Sequence, residues 1–135
     1  MHSKWYRHQE IFLLYVKKMN SLLVKSLKFL FKEIKPPIKL VLAEGGSAER
    51  APHFTFFFTS MSLYEKYRQQ DKFPLRITVF QKETFEWNWE RRSHTRQHYL
   101  DWTKEDEEKY SNLTISAIRV TGEYNSCDYE WGENL

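Results

Sequence analysis

The pattern of apolar and polar residues predicts one long helix near the start of the chain. Residues 8–35 contain no glycine or proline, and Pro36-Pro37 would end a helix there. At about 100° per residue, the apolar residues fall on one wide face and the lysines on the opposite side, so we expect the helix to pack on a sheet. The apolar face comprises Phe12, Tyr15, Val16, Met19, Leu23, Leu27, Leu30 and Ile34.

Five shorter segments have the composition of β-strands, namely 38–44, 53–60, 75–81, 84–90 and 113–120. In the second of them, Phe54, Phe56 and Phe58 alternate with polar residues, which is typical of a strand with one buried face.

Lys82-Glu83 separates two of these segments and predicts a β-hairpin between 75–81 and 84–90. A loop of odd length, or a bulge, would place Trp87 and Trp89 on the same face as the aliphatic residues of the first segment. Burial of apolar surface favours that register. We therefore predict that Trp87 and Trp89 are buried beside Leu75, Ile77 and Val79.

Two further segments predict short helices. Residues 61–70 follow an N-cap at Ser60 or Ser62, and Thr103 to Asp106 form a capping box for a helix that ends near Tyr110. The resulting order is α-β-β-α-β-β-α-β. It predicts a single α+β domain over residues 1–135, with a mainly antiparallel sheet of about five strands, the long helix on one face, and an acidic tail from about residue 123.

Glycine content narrows the possible functions. The chain has 135 residues and four glycines, and none lies between Ser47 and Thr121. Phosphate-binding loops, nucleophile elbows and dinucleotide-binding motifs all need glycine where the backbone approaches the ligand. We therefore expect no cofactor, and the sequence argues against an enzyme without excluding every kind.

Cysteine content and hydropathy indicate the cellular compartment that we expect for this protein. The chain has one cysteine, Cys127, which excludes an intramolecular disulfide framework and fits a reducing compartment. Lys17 and Lys18 interrupt the apolar run near the start of the chain, so neither a signal peptide nor a membrane span is predicted. We expect a cytoplasmic protein that does not insert into a membrane.

Charge is distributed unevenly along the chain. Residues 1–43 carry nine Lys or Arg against two acidic residues, whereas residues 99–135 carry three against nine. Such a lysine-rich helix face is either solvated or binds phosphate. The candidate phosphate-binding residues are Lys17, Lys18, Lys25, Lys28, Lys32 and Lys35.

The segment from Phe85 to Trp102 concentrates arginine, histidine and tryptophan. On a helix, His94, His98 and Asp101 would share one face, but no cysteine or third histidine is near, so we predict no metal site. Acid–base chemistry from Glu, Arg and His would suit a metal-independent RNase. However, Glu86 and Glu90 would lie about 13 Å apart on a strand, too far to act as a pair.

The sequence thus favours a small non-enzymatic protein-binding domain, of the inhibitor, immunity or adaptor type, that associates with a protein partner through charge steering. The candidate partner-binding residues are Arg91, Arg92, His94, Arg96 and His98. The first alternative is a nucleic-acid-binding protein that uses the six candidate phosphate-binding lysines of the helix, the lysine stripe, together with the Arg91–Arg96 cluster. The second alternative is the metal-independent RNase.

Overall fold

The computed structural model describes residues 21–34 and 37–122, where four antiparallel strands form one sheet accompanied by three helices. The strands are β1 (Leu40–Glu44), β2 (His53–Phe57), β3 (Arg76–Gln81) and β4 (Ile115–Thr121). The helices are α1 (Leu27–Glu33), α2 (Met61–Gln69) and α3 (Lys104–Tyr110), and a 3-10 turn spans Trp89–Arg91. The strand order in the sheet is β1-β2-β3-β4, so each strand pairs with its neighbour in sequence. The prediction of an α+β fold with an antiparallel sheet is confirmed.

One face of the sheet, the inner face, holds the main hydrophobic core. Because side chains alternate along a strand, β2 places Phe54 and Phe56 on this face, and both are buried. Leu27 and Leu30 of α1 belong to the same cluster of buried residues. The predicted burial of the alternating phenylalanines is therefore confirmed, and α1 covers the inner face.

Two predicted helix caps are present. The Ser60 hydroxyl accepts a hydrogen bond from the Leu63 amide (3.2 Å) at the start of α2. In α3 the Thr103 hydroxyl accepts from the Asp106 amide (3.1 Å), and the Asp106 carboxylate accepts from the Thr103 amide (3.0 Å). This capping box satisfies backbone donors that the first turn of a helix leaves unpaired.

The long N-terminal helix is not formed over residues 21–26, which are in turns. There the backbone pairs with the beginning of β4 instead. The Val24 amide donates to the carbonyl oxygen of Ile115 (2.8 Å), and the Ile115 amide donates to that of Lys25 (2.8 Å). Val24 has a φ of 64°, which is unusual for a β-branched residue. The remainder of the predicted helix, residues 8–20 and 35, lies outside the described residues, as does the acidic tail from 123.

The strand predicted at 84–90 is wrong, because β4 rather than this segment pairs with β3. Residues 84–88 cross the core without regular structure, and Phe85 stacks on Phe54 with ring centroids 4.4 Å apart. The Phe85 amide donates to the carbonyl oxygen of Gly45 (2.9 Å), and the Tyr110 hydroxyl donates to that of Glu86 (2.7 Å). The predicted hairpin is thus replaced by a segment that packs across the sheet, which leaves four strands.

Among residues 21–34 and 37–122, those that cover the outer face of the sheet lie at one corner. Leu40 and Phe57 are buried there by Tyr64 of α2 and by Leu100. The rest of this face is polar or exposed, and Leu42 is 42% exposed. We call this surface the open sheet face. It comprises Leu42, His53, Thr55, Arg76, Thr78, Phe80, Ala117 and Arg119.

Candidate functional site

The candidate site lies in the long connection between β3 and β4, residues 82–114. Long connections that are held in place by a scaffold often carry function. We call residues 88–98 the Trp89 loop. It contains all five predicted partner-binding residues, which the structure places on one segment of irregular chain.

Arg92 fixes the base of this loop. Its guanidinium lies 3.9 Å from the centre of the Trp87 ring and donates to both carboxylate oxygens of Asp106 (2.8 and 2.7 Å). A third bond goes to the carbonyl oxygen of Asp101 (2.7 Å). With its side chain only 16% exposed, Arg92 holds the loop against α3 rather than facing solvent.

The ion pair sets the protonation of Asp106. Burial raises the pKa of this carboxyl group, but the hydrogen bonds from Arg92 and from the Thr103 amide outweigh burial and hold its pKa below the usual value. Asp106 is therefore ionised in the folded protein, and one carboxylate serves both the ion pair and the capping box.

Arg96 and His98 make local pairs further along the loop. Arg96 donates to both carboxylate oxygens of Glu65 on α2 (3.1 and 2.8 Å), and this hydrogen bonding lowers the pKa of Glu65. His98 Nδ1 lies 2.8 Å from the carboxylate of Asp101. The loop is thus connected to two helices and to the segment beside β1.

Trp89 is the exposed aromatic residue of the loop. Its ring stacks on His94, with centroids 4.6 Å apart and planes 13° apart, and His94 Nε2 lies 2.9 Å from the carbonyl oxygen of Trp89. Trp89 is 47% exposed, so its predicted burial is wrong, because the 3-10 turn has replaced the strand that would have turned it inward. Trp87 packs against the core cluster that includes Leu75, Ile77 and Val79 but is half-buried rather than buried, so its predicted burial is confirmed only in part.

The two histidines do not converge. His94 lies against Trp89 whereas His98 pairs with Asp101. Within residues 21–34 and 37–122, no group of three or more His, Cys, Asp or Glu side chains could hold a metal ion.

A cleft of about 280 Å³ borders the loop and is lined by Ser93, His98 and Asp101 among others. The Ser93 hydroxyl makes its hydrogen bond with the Thr95 hydroxyl (3.0 Å) and not with His98. These three side chains therefore do not form the linked nucleophile, base and orienting acid that hydrolysis by serine requires.

The structure describes three of the six lysines of the predicted lysine stripe. The ammonium groups of Lys25, Lys28 and Lys32 lie 5.7, 5.6 and 5.7 Å from the centre of the Phe29 ring, which is 39% exposed. Because Leu27 and Leu30 point into the core, this lysine cluster lies on the outer side of α1. Lys17, Lys18 and Lys35 lie outside the described residues.

Reasoning from the sequence missed the open sheet face. The sequence of β3 did contain a sign of it. Alternate residues of this strand face the core, as Ile77 and Val79 do. Phe80 lies on the other face, with Arg76 and Thr78. An apolar ring in the exposed phase of a strand is a candidate for ligand contact.

No protein-family model, curated protein or solved structure matches this chain. The described helices are all too short to cross a bilayer, and none forms an apolar span. Function is therefore argued from the site itself.

Proposed function

We propose that this protein is a small binding domain that recognises another protein through the Trp89 loop, in the manner of an inhibitor, immunity protein or adaptor. The observation that supports the proposal best is the exposed Trp89 ring held flat against His94. Tryptophan is enriched in the few interface residues that contribute most of the binding free energy.

The loop is organised before any partner arrives. Arg92 joins it to α3, Arg96 joins it to α2, and just beyond the loop the Leu100 carbonyl oxygen accepts a hydrogen bond from the Val41 amide of β1 (2.8 Å). Association loses affinity when side chains and loops must be ordered at the interface. These three connections lower that cost, which supports a recognition role for the loop.

The side chains around Trp89 suggest the chemistry of the partner. Arg91 is exposed at the end of the 3-10 turn, and His94 is exposed beside the indole ring. An apolar pocket rimmed by acidic groups would accept the indole and pair with the cations. Charges at such a rim increase the association rate more than they increase affinity.

The test is affinity capture from the native host with matched baits. We expect wild-type protein to capture a partner that Trp89→Ala does not capture. With the purified partner, Trp89→Ala should weaken binding by at least about 30-fold, because central aromatic residues contribute about 2 kcal/mol or more. Calorimetric titration gives the dissociation constant.

Phe73→Ala is the matched control, since it removes another exposed aromatic ring, 61% exposed, from the connection before β3 and not from the loop. This variant should bind the partner as wild type does. Equal binding by wild type and Trp89→Ala, with both variants folded by circular dichroism, would contradict the proposal.

A further inference from the structure

The open sheet face carries a pairing of a half-buried aromatic ring, Phe80, with a cation. The Phe80 ring lies 5.0 Å from the His53 ring and 6.0 Å from the guanidinium of Arg119. The strand register explains this arrangement, because His53 is directly opposite Phe80 and Arg119 is two residue pairs away along the ladder, on the same face. The ring is therefore oriented by side chains of the surface and not by the core.

A second pair lies at the other end of β3. Phe73 is 61% exposed, and the guanidinium of Arg76 lies 5.0 Å from the centre of its ring. The Arg76 side chain is fixed by donating to the Thr121 hydroxyl (2.9 Å). Arg76 and Phe80 are four residues apart on one strand, which corresponds to about 13 Å.

Polar groups occupy the space between the two pairs. The hydroxyl oxygens of Thr55 and Thr78 lie 3.2 Å apart on adjacent strands. Each hydroxyl can donate and accept hydrogen bonds. The surface thus presents the exposed Phe73 ring just before β3, then the hydroxyl pair, and then the half-buried Phe80 ring.

The charge of this surface is positive. Arg76 and Arg119 lie on it, and the acidic residue in the same rows of the ladder is Glu44 at the outer strand. Glu44 Oε2 lies 3.7 Å from a guanidinium nitrogen of Arg50 and Oε1 accepts from the Gly46 amide (3.3 Å). Glu44 is thereby partly neutralised, so the face complements a polyanion.

We propose that the open sheet face binds single-stranded nucleic acid, with bases stacked on Phe80 and Phe73 and phosphates paired with Arg119 and Arg76. Aromatic rings that reach a basic surface suit flat bases, and stacking tolerates any base sequence. A duplex hides its base faces, and an acidic peptide without aromatic residues has no rings to stack on Phe80 and Phe73. This activity goes beyond the proposed protein binding and uses a different surface.

The test measures the anisotropy of labelled single strands of about 12 uridine or thymidine nucleotides over a range of salt concentrations. Duplex of the same length and oligoglutamate are the comparison probes. The variants are Arg119→Gln, Phe80→Thr and Phe73→Ser. Lys28→Gln is the matched control, because it removes one charge from the lysine cluster on the side of α1 that faces away from the sheet.

We expect Arg119→Gln to reduce the slope of log affinity against log salt by about 0.7, the value for one phosphate contact on a single strand. Phe80→Thr and Phe73→Ser should each weaken binding on the order of 10-fold, since stacking of one base contributes that much or more. Lys28→Gln should leave both the slope and the affinity unchanged.

Three results would overturn the proposal: no binding of either single strand, equal loss of affinity in Lys28→Gln and Arg119→Gln, or equal binding of duplex or oligoglutamate. Phe73→Ser keeps the test decisive if Phe80→Thr unfolds, because Phe73 lies outside the strands. Trp89→Ala should bind nucleic acid as wild type does, so this proposal and the proposed protein binding can fail separately.

Discussion

At the scale of single residues, Asp106 links the stability of the loop to pH. Its pKa is lowered in the folded protein by Arg92 and Thr103, although burial alone would raise it. A group with a depressed folded pKa stabilises the protein above its unfolded pKa, about 3.9 for Asp, and that contribution is lost as pH falls through the folded value.

We therefore expect Asp106→Asn to lower the free energy of unfolding by about 2 kcal/mol at neutral pH, because hydrogen bonds to charged groups are lost. The difference from wild type should shrink as pH falls below about 4. Urea unfolding over a pH series measures both effects. Glu108→Gln changes an exposed residue of the same helix and should show neither effect. If Asp106→Asn lowered the free energy of unfolding by the same amount at every pH, the lowered pKa of Asp106 would be contradicted.

Trp87 and Trp89 show what residue patterns cannot predict. They are two positions apart, so any regular strand would give both rings the same environment. In the structure Trp87 packs parallel to Trp102, with planes 4° apart, while Trp89 faces solvent. The 3-10 turn that starts at Trp89 is followed by Arg92, whose contact with Asp106 joins residues distant in sequence and leaves no local signal.

At the scale of elements, local signals predicted the two capped helices well. Both Ser60 and Ser62 were candidate N-caps for α2, and the structure assigns the cap to Ser60. We expect Ser60→Ala to destabilise the protein by about 1 kcal/mol, because an amide of the first turn loses its acceptor.

Ser62→Ala provides the matched comparison, since Ser62 lies inside the helix and is exposed. Alanine has the higher helix propensity, so this variant should be neutral or slightly more stable. Thermal unfolding of both variants measures the difference. A larger loss in Ser62→Ala than in Ser60→Ala would show that the cap had been assigned to the wrong serine.

Competition between elements explains the predictions that were wrong. Residues 84–90 alternate as a strand should, but β4 has the same property and pairs with β3 at six positions from Arg76 to Gln81. The turns at 21–26 depend likewise on pairing with Ile115. In both cases the partner that decides the structure is β4, which lies outside the segment concerned. The residue pattern of that segment therefore contains no information about the pairing.

At the scale of the whole molecule, the two proposed binding surfaces and the core occupy separate places. The inner face of the sheet is filled by α1, α3 and the aromatic residues between β3 and β4. The open sheet face lies on the other side of the same strands, and the segment just after the Trp89 loop lies beside the edge of β1, where Asp101 bridges to Leu40. Changes to either surface can therefore leave the core intact.

The order of strands also has a kinetic consequence. The connections lengthen along the chain, from residues 45–52 to 58–75 and then 82–114. Closing a longer loop costs more entropy, about 0.6 kcal/mol for each doubling, so contacts of β1 with β2 should form before those of β4 with β3. We expect Val41→Ala mainly to slow folding and Val120→Ala mainly to speed unfolding, as measured by stopped-flow chevron plots. The reverse assignment would mean that β4 docks early.

If β4 docks last, the edge of β3 that pairs with β4 stays exposed until that step. An unpaired edge beside buried phenylalanines can pair with the same edge of a second chain. Association between refolding chains would then depend on protein concentration and would stop once β4 has docked. The last strand to fold would thus be the one that protects the protein from aggregation.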